Sequence, residues 1–354
     1  MTIGGRRNMI LVTGAAGHIG NVLVRQLLKE GQEVQAMIMP GEDIRSLKGV
    51  DVEMVEANVL DFKRLNKAFK GIQTIFHLAG MITILPGEDQ VVRKVNIEGT
   101  RNVIKAAKEN GVNKLIYTSS IHAVKRIRHG VIDESAGYDP ETPYGEYDQS
   151  KARATLEVEK AARDGLEAVI TCPTGVIGPY DFRGSMMGSF IRSAAIRKPT
   201  LYVDGAYDFV DVRDVADGLI QAARKGKKGE SYILSGHQVS IRFLLEMIRE
   251  ATGKNFFQMK IPFFLARIAA LMTPLYYKAA QVTPKFTPYS LDVIRSNSFI
   301  SHLKASRELG YQPRSLYESI SDTARWFIET ADDYLAQSTI RRIEKQLSNE
   351  RKSK

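Results

Sequence analysis

Met9-Ile10-Leu11-Val12 runs directly into Thr13-Gly14-Ala15-Ala16-Gly17-His18-Ile19-Gly20, and this junction constrains the fold more than any other stretch. The first four residues are an apolar run of the kind found in strands buried on both faces. Val22, Leu23, Leu27 and Leu28 then recur at helical spacing. Strand, glycine turn and helix N-terminus together make a phosphate cradle. Gly14 permits the tight turn, Gly17 lets the backbone approach a pyrophosphate, and Gly20 lets the helix pack close to the strand. The free N–H groups and the dipole of the first helical turn favour negative charge there. A dinucleotide is the expected ligand, held along Gly14, Ala16, Gly17, His18, Ile19 and Gly20.

Short β-rich runs alternate with helical patterns through the first half. Strands are expected at Met9–Val12, Glu33–Ile38, Asp51–Glu56, Thr74–His77, Lys114–Thr118 and Ala168–Cys172, and helices at Asn21–Lys29, Arg64–Phe69, Val91–Glu109 and Tyr147–Arg163. Such alternation implies an α/β fold, a Rossmann-type doubly wound parallel sheet. After Pro173 the pattern loosens. Helices near Phe190–Ile196, Ile241–Ala251 and Leu316–Ala331 imply a smaller, mostly helical C-terminal substrate lobe, while Asp211–Arg224 returns to the first unit. The expected division is 1–178 with 209–227 for the dinucleotide-binding domain, 179–208 with 228–335 for the substrate lobe, and 336–354 as a basic tail.

The chemistry is carried by Tyr147-Asp148-Gln149-Ser150-Lys151, downstream of Thr118-Ser119-Ser120. Residues four apart share one helix face, so Tyr147 and Lys151 can point into one cleft. A free tyrosine has a pKa of about 10, and a fixed cation favours its phenolate. That makes Tyr147 a usable general acid or base. A hydroxyl of the Ser119-Ser120 pair can hold the reacting oxygen. Tyr144 is a nearby decoy with no lysine four residues on.

Taken in order, these parts resemble a known family. The glycines at 14, 17 and 20, Phe76-His77-Leu78-Ala79-Gly80, Asn96-Ile97-Glu98-Gly99-Thr100, Tyr117-Thr118-Ser119-Ser120 and Tyr147-x-x-x-Lys151 are similar to an extended short-chain dehydrogenase/reductase. The likeness continues through Cys172-Pro173-Thr174-Gly175-Val176-Ile177-Gly178-Pro179, Phe209 to Ala216, Glu308 to Pro313 and the helix around Trp326. It spans about residues 8 to 330 and lies nearest the dihydroflavonol-reductase-like and 3β-hydroxysteroid-dehydrogenase-like branch. The resemblance implies that Ser120 holds the substrate oxygen, Tyr147 moves the proton, Lys151 also contacts the nicotinamide ribose, and Asn96 supports the site. It also implies cofactor contacts from Leu78, Ala79, Gly80, Pro173, Gly175 and Val176.

Cofactor preference is finely balanced. An acid after the second strand marks NAD and a nearby arginine marks NADP. Met39 stands where NADP-using relatives often have arginine, and Arg45 is close enough in sequence to reach a 2′-phosphate. Glu42 and Asp43 could instead bind ribose hydroxyls. Asn58 takes the position of an adenine-contacting aspartate, with Val59 as adenine wall. The balance leans slightly to NADP.

Nucleotide-sugar enzymes of the resembled family carry Arg-Pro-x-Asn-x-Tyr-Gly-Pro after the strand that follows the catalytic helix. Here Cys172, Gly175 and Ile177 replace Arg, Asn and Tyr. That points to a non-nucleotide carbonyl or alcohol, lodged against Met186, Met187, Phe190 and the stretch Ile261 to Tyr277. An NAD(P)H-dependent oxidoreductase is therefore expected. The alternatives are a sugar or sugar-nucleotide epimerase/dehydratase with retained NAD, and a non-catalytic NAD(P)-binding regulatory protein.

At 354 residues and 44% hydrophobic, the chain can bury a large core. Its one cysteine, Cys172, forms no intramolecular disulfide and suits a reducing, cytoplasmic setting. The six histidines lack metal-ligand spacing, so no metal is expected. The net charge of +10 is partly concentrated in Thr339 to Lys354 and in the cluster His122, Lys125, Arg126, Arg128 and His129. That cluster reads as a solvated loop or as a rim attracting an anionic substrate. No nucleic-acid partner is expected; a homodimer stays open, and peripheral membrane contact through Lys260 to Lys278 and the basic tail is the less favoured reading.

Overall fold

The computed structural model describes residues 8–82, 89–196, 200–280 and 287–330; the side chains of 273–280 and the whole basic tail lie outside the described residues. From the N-terminus the chain runs β1 (Ile10–Thr13), α1 (His18–Lys29), β2 (Val34–Ile38), β3 (Glu53–Glu56), α2 (Phe62–Ala68) and β4 (Thr74–His77). Then follow α3 (Asp89–Arg93), α4 (Gly99–Glu109), β5 (Lys114–Thr118), α5 (Glu146–Arg163) and β6 (Ala168–Pro173). The later part holds β7 (Gly175–Ile177), α6 (Met186–Ala195), β8 (Thr200–Tyr202), β9 (Ala206–Asp211), α7 (Val212–Lys225) and β10 (Ser231–Leu234). It ends with β11 (His237–Ser240), α8 (Ile241–Thr252), β12 (Gln258–Lys260), α9 (Phe263–Ala280), α10 (Pro288–Arg295), α11 (Leu303–Leu309) and α12 (Leu316–Glu329).

Seven strands pair in the order β10-β6-β5-β4-β1-β2-β3, all parallel. This is the Rossmann-type doubly wound sheet. Strand periodicity places alternate side chains on opposite faces. In β1, Ile10 and Val12 join α1, α7 and α11 on one face, while Leu11 joins α2, α4 and α5 on the other. Both faces of the central strands are covered, which is why they read as apolar runs; the edge strand β3 is exposed and carries two glutamates. Strand order reverses between β1 and β4, and the crevice outside their C-terminal ends is where such sheets bind ligands.

Three features differ from expectation. The helix expected over Val91–Glu109 is broken by a π-helical segment, Lys94–Glu98, which carries Asn96. Ser231–Leu234 pairs with β6 as the seventh strand, so the large sheet draws on residues beyond 227. β9 leaves that sheet for a smaller one ordered β11-β9-β7, and β12 pairs with β8. Ile177, Ile191, Phe209, Leu244, Ile248, Ile320 and Ala324 form a separate core between this small sheet and α6, α8 and α12.

Candidate active site

The turn between β1 and α1 is shaped by what cannot fit there. Gly14 has φ +67°, and a Cβ on it would stand 2.8 Å from the Ala79 nitrogen. A Cβ on Gly20 would collide with the Gly14 carbonyl oxygen. The Gly17 N–H donates to Gly14 O at 2.9 Å, and no side chain caps α1. The first turn of α1 therefore presents backbone N–H groups without a side-chain cap, and an anion fits them. Leu78 and Ala79 lie directly across the turn, both donating backbone N–H to Thr13 Oγ1. Beneath them His77 joins Thr13 (2.8 Å) and Thr100 (3.2 Å), and burial, then the Lys151 charge, holds it neutral at about 3.

Lys151 Nζ donates to Thr118 O at 2.9 Å, leaving two ammonium protons for a ligand. Burial pulls its pKa down to about 8. Gly80 makes room for it, since a Cβ there would lie 3.4 Å from Nζ and 3.2 Å from Asn96 Oδ1. Asn96 is fully engaged: it pairs with the Met81 backbone through both amide atoms and donates to Ser150 Oγ at 3.0 Å. Its amide fixes the loop after β4 to α5 and makes no contact with the Tyr147 phenol.

Of the two serines, Ser119 Oγ is tied to Thr155 at 2.6 Å within the core, whereas Ser120 Oγ accepts from His122 N at 3.2 Å and acts on the Tyr147 phenol, whose pKa it lowers. Tyr147 itself departs from expectation. Burial pushes its pKa up to about 12, Ser120 pulls against that, and the Asp148 charge adds to it. Lys151 stands at Thr118 O, over the Tyr117 ring at 5.3 Å, and does not favour the phenolate here. The phenol rests as a neutral acid. Tyr144 is 40% exposed and stacks under Arg126.

A polar network beside Tyr147 went unread in the sequence. The buried Asp148 carboxylate accepts from Arg126 (2.7 Å) and Tyr289 (2.7 Å), with His122 Nδ1 3.6 Å away. Burial would raise Asp148, but the bonds and charges of His122, Tyr289 and Arg126 hold it below the usual carboxylate range. His122 also joins the Tyr289 and Tyr207 hydroxyls, each at 3.0 Å, and its ring meets that of Tyr147 edge-on at 5.9 Å. Arg126 is therefore held by Asp148 rather than standing free on a cationic rim. Tyr207 and Tyr289 carry no spacing signal; Asp148 was visible within the Tyr-x-x-x-Lys motif. Gly175 belongs with this group, because a Cβ there would lie 2.8 Å from the Tyr207 ring.

At the far end of the crevice the cofactor residues fare differently. Arg45 grips Asp43 through Nε at 2.8 and 2.9 Å and Nη2 at 2.5 Å. Glu42 accepts the Met39 N–H at 2.8 Å and pairs with Arg183. Val59 is buried against Gly99 rather than lining a surface, while the Asn58 side chain accepts from Leu60 N. His18 reaches Pro179 O at 3.0 Å, Ala16 O accepts from Ser46, and Val176 packs on the α1 side of the sheet. Met187 and Phe190 are partly buried against the core under the small sheet, and Met186 is exposed. Among the described residues no group of three or more His, Cys, Asp or Glu could hold a metal.

The sequence model of the NAD dependent epimerase/dehydratase family matches residues 10–235. Sterol demethylase protein B of Methylococcus capsulatus is 34% identical, covering 90% of this chain and 98% of that protein. The decarboxylating sterol-4-alpha-carboxylate 3-dehydrogenase of Mus musculus is 28% identical, covering 89% of this chain and 90% of that one. Among solved structures, gox2253 superposes with a TM-score of 0.78 at 30% identity, covering 91% of this chain and 98% of that one. UDP-glucose 4-epimerase of Thermus thermophilus in complex with NAD gives 0.74 at 23% identity over 90% and 98%, a likeness of fold.

Proposed function

Because the chain belongs to the NAD dependent epimerase/dehydratase family, we propose that it interconverts a carbonyl and an alcohol on an apolar, sterol-like small molecule, with Tyr147 as the proton carrier. The chain is an NAD-dependent oxidoreductase. When bound, the nicotinamide supplies the hydride to the carbonyl carbon or takes it from the alcohol. The remaining work falls to side chains. Ser120 holds the substrate oxygen, and Tyr147 gives it a proton during reduction and removes one during oxidation. Lys151 directs its two remaining ammonium protons to the ribose hydroxyls, and Asn96 keeps the loop after β4 against α5. The 1–178 and 209–227 division stays a proposal, with β10 added to the sheet that carries the cofactor.

The observation that carries this reading is the buried Tyr147 phenol set beside Ser120 and an ionised Asp148: burial first, then the Asp148 charge, keeps it protonated and ready to donate, while Ser120 pulls the other way. The apolar substrate is supported by two of the relatives, whose names specify sterols. It is supported also by Tyr207, whose ring fills the space into which an asparagine at position 175 would extend.

The slight lean to NADP gives way to NAD. Arg45 is engaged by Asp43, and the Glu42 carboxylate, itself paired with Arg183, already occupies the Met39 N–H that a 2′-phosphate would need. Calorimetric titration with both nucleotides tests this. Arg45→Ala should change neither affinity by more than a few-fold. Loss of NADP binding alone, by the roughly ten- to hundred-fold that a charge-assisted contact is worth, would restore the phosphate role. The substrate assignment is tested by nicotinamide reduction with 3-hydroxysterols against UDP-sugars; turnover of the sugars alone would overturn it.

A further inference from the structure

Helix α9 is built inside out. Ala266 and Ala270 are buried against Val203 and Leu291, with Ile261, Phe263 and Ile294 packed beside them. The large side chains face away. Phe264, Leu265, Ile268, Leu271 and Met272 are each 47–64% exposed. Spacings of 264/268/271 and 265/268/272 put them in one stripe. Phe257 and Met259, also exposed, extend the apolar surface into the segment that leads to α9. A contiguous exposed apolar surface of this kind marks an interaction site.

Charge says what covers it. From Ala251 to Leu291 the chain has five cations, Lys254, Lys260, Arg267, Lys278 and Lys285, and no Asp or Glu. Arg267 is an exposed member of α9 itself, and Arg295 from α10 lies over the Phe263 ring at 4.3 Å. Lys260 is paired with Asp204, and a second copy docking here by a two-fold axis would bring the other cations together with no carboxylate from the segment between them. An anionic bilayer supplies both partners, acyl chains for the stripe and phosphate for the cations. No helix among the described residues is long and apolar enough to cross a membrane, so α9 would lie along the surface.

We propose that α9 docks the protein onto anionic phospholipid membranes, with Phe264, Leu265, Ile268, Leu271 and Met272 entering the acyl boundary and Arg267 engaging headgroups. The docking stands independently of the chemistry assigned to Tyr147. The surface is nevertheless one helix from that site, since α9 packs on α10 and Tyr289 of α10 bonds Asp148 and His122.

The test is flotation of the full chain with vesicles of phosphatidylcholine alone and of equal parts phosphatidylcholine and phosphatidylserine. Wild type should float with the anionic vesicles, bind the neutral ones more weakly, and release as salt rises. Phe264→Ser/Ile268→Ser/Leu271→Ser should weaken anionic-vesicle binding at least about tenfold, with NAD binding retained as the control for folding. Should that variant lose NAD binding, Ile268→Asp alone carries the same expectation. Failure of wild type to float overturns the proposal. So does equal binding by the folded triple variant, which would assign the attraction to the basic tail. A dimer in sedimentation that the triple variant dissociates, without vesicle binding, would assign the face to a second copy.

Discussion

Helices α5 and α9 are each 18 residues long, and both break the rule that polar side chains face water and apolar ones the core, in opposite senses. The inner face of α5 carries Asp148, Ser150, Lys151 and Thr155. The outer face of α9 carries five large apolar side chains. In α5 the buried polar groups find partners: Asp148 with Arg126 and Tyr289, Ser150 with Asn96, Thr155 with Ser119. In α9 the five large side chains meet solvent, and among the described residues only the small Ala266 and Ala270, with Phe263, hold the helix to Val203 and Leu291. A face that buries polarity is tied to its neighbours by hydrogen bonds, whereas an exposed apolar face makes no such ties. The two inversions should therefore respond oppositely to substitution.

The largest effect is expected at the reacting end of α5. Tyr147→Phe removes one hydroxyl from a packed ring and leaves the helix intact. Turnover should fall by about a hundred- to ten-thousand-fold, the usual worth of a general acid, while NAD affinity measured by calorimetry stays within a few-fold. Retention of most of the activity would break the claim that the polar face of α5 is chemical, and Tyr144 would be tested next.

Lys151 sharpens the comparison, because among the described residues it has a single hydrogen-bond partner for three donors. Burial lowers its pKa from 10.5 to about 8. Between those values the unfolded chain holds a proton that the folded one has released, so this group makes stability rise with pH across that window. Below about 8 the folded protein carries the full cost of a buried ammonium. Lys151→Met should remove the slope and raise the stability of the cofactor-free protein at neutral pH by about 2–3 kcal/mol, while abolishing turnover. Thermal unfolding at neutral and alkaline pH reads both. A variant less stable than wild type would mean that the ammonium is better satisfied than its one partner suggests.

How far the sequence discloses these two helices follows from the physics of each. The six strands expected in the first half recur within two residues at either end; in five of them burial demands an apolar run, while the edge strand β3 is exposed and carries Glu53 and Glu56. Tyr147 and Lys151 are readable because their spacing is local to one helix. Ser120 is separable from Ser119 only by resemblance, and the structure supplies the reason in Thr155. The network of His122, Arg126, Asp148, Tyr207 and Tyr289 draws on four separate segments, and nothing in their spacing announces it. The pairing of Arg45 with Asp43, two residues away, is not legible because a sequence does not say which way either side chain turns. The short strands β8 to β12 are three to six residues long and partly polar, too brief for a period to register. The direction of α9 is invisible for a different reason: its composition is apolar all round, so only the packing of Ala266 and Ala270 reveals which face is turned out.

The smallest effect is expected on that outer face, and its smallness is the point. Ile268→Ser removes an apolar side chain that is 57% exposed and contributes little packing to the fold. Exposed substitutions away from caps and cores stay within about 0.5 kcal/mol, so its denaturant midpoint should match wild type. Ala270→Ser sits on the buried side of the same helix, where a hydroxyl has to be accommodated against Val203 and Leu291. The hydroxyl can bond back to the Ala266 carbonyl, so the cost, about 1–3 kcal/mol, comes from crowding an added atom into a packed contact. Urea unfolding of the two variants compares the faces directly. If Ile268→Ser is the more destabilising, α9 is covered in the free protein, and its apolar stripe belongs to the core rather than to an interaction surface.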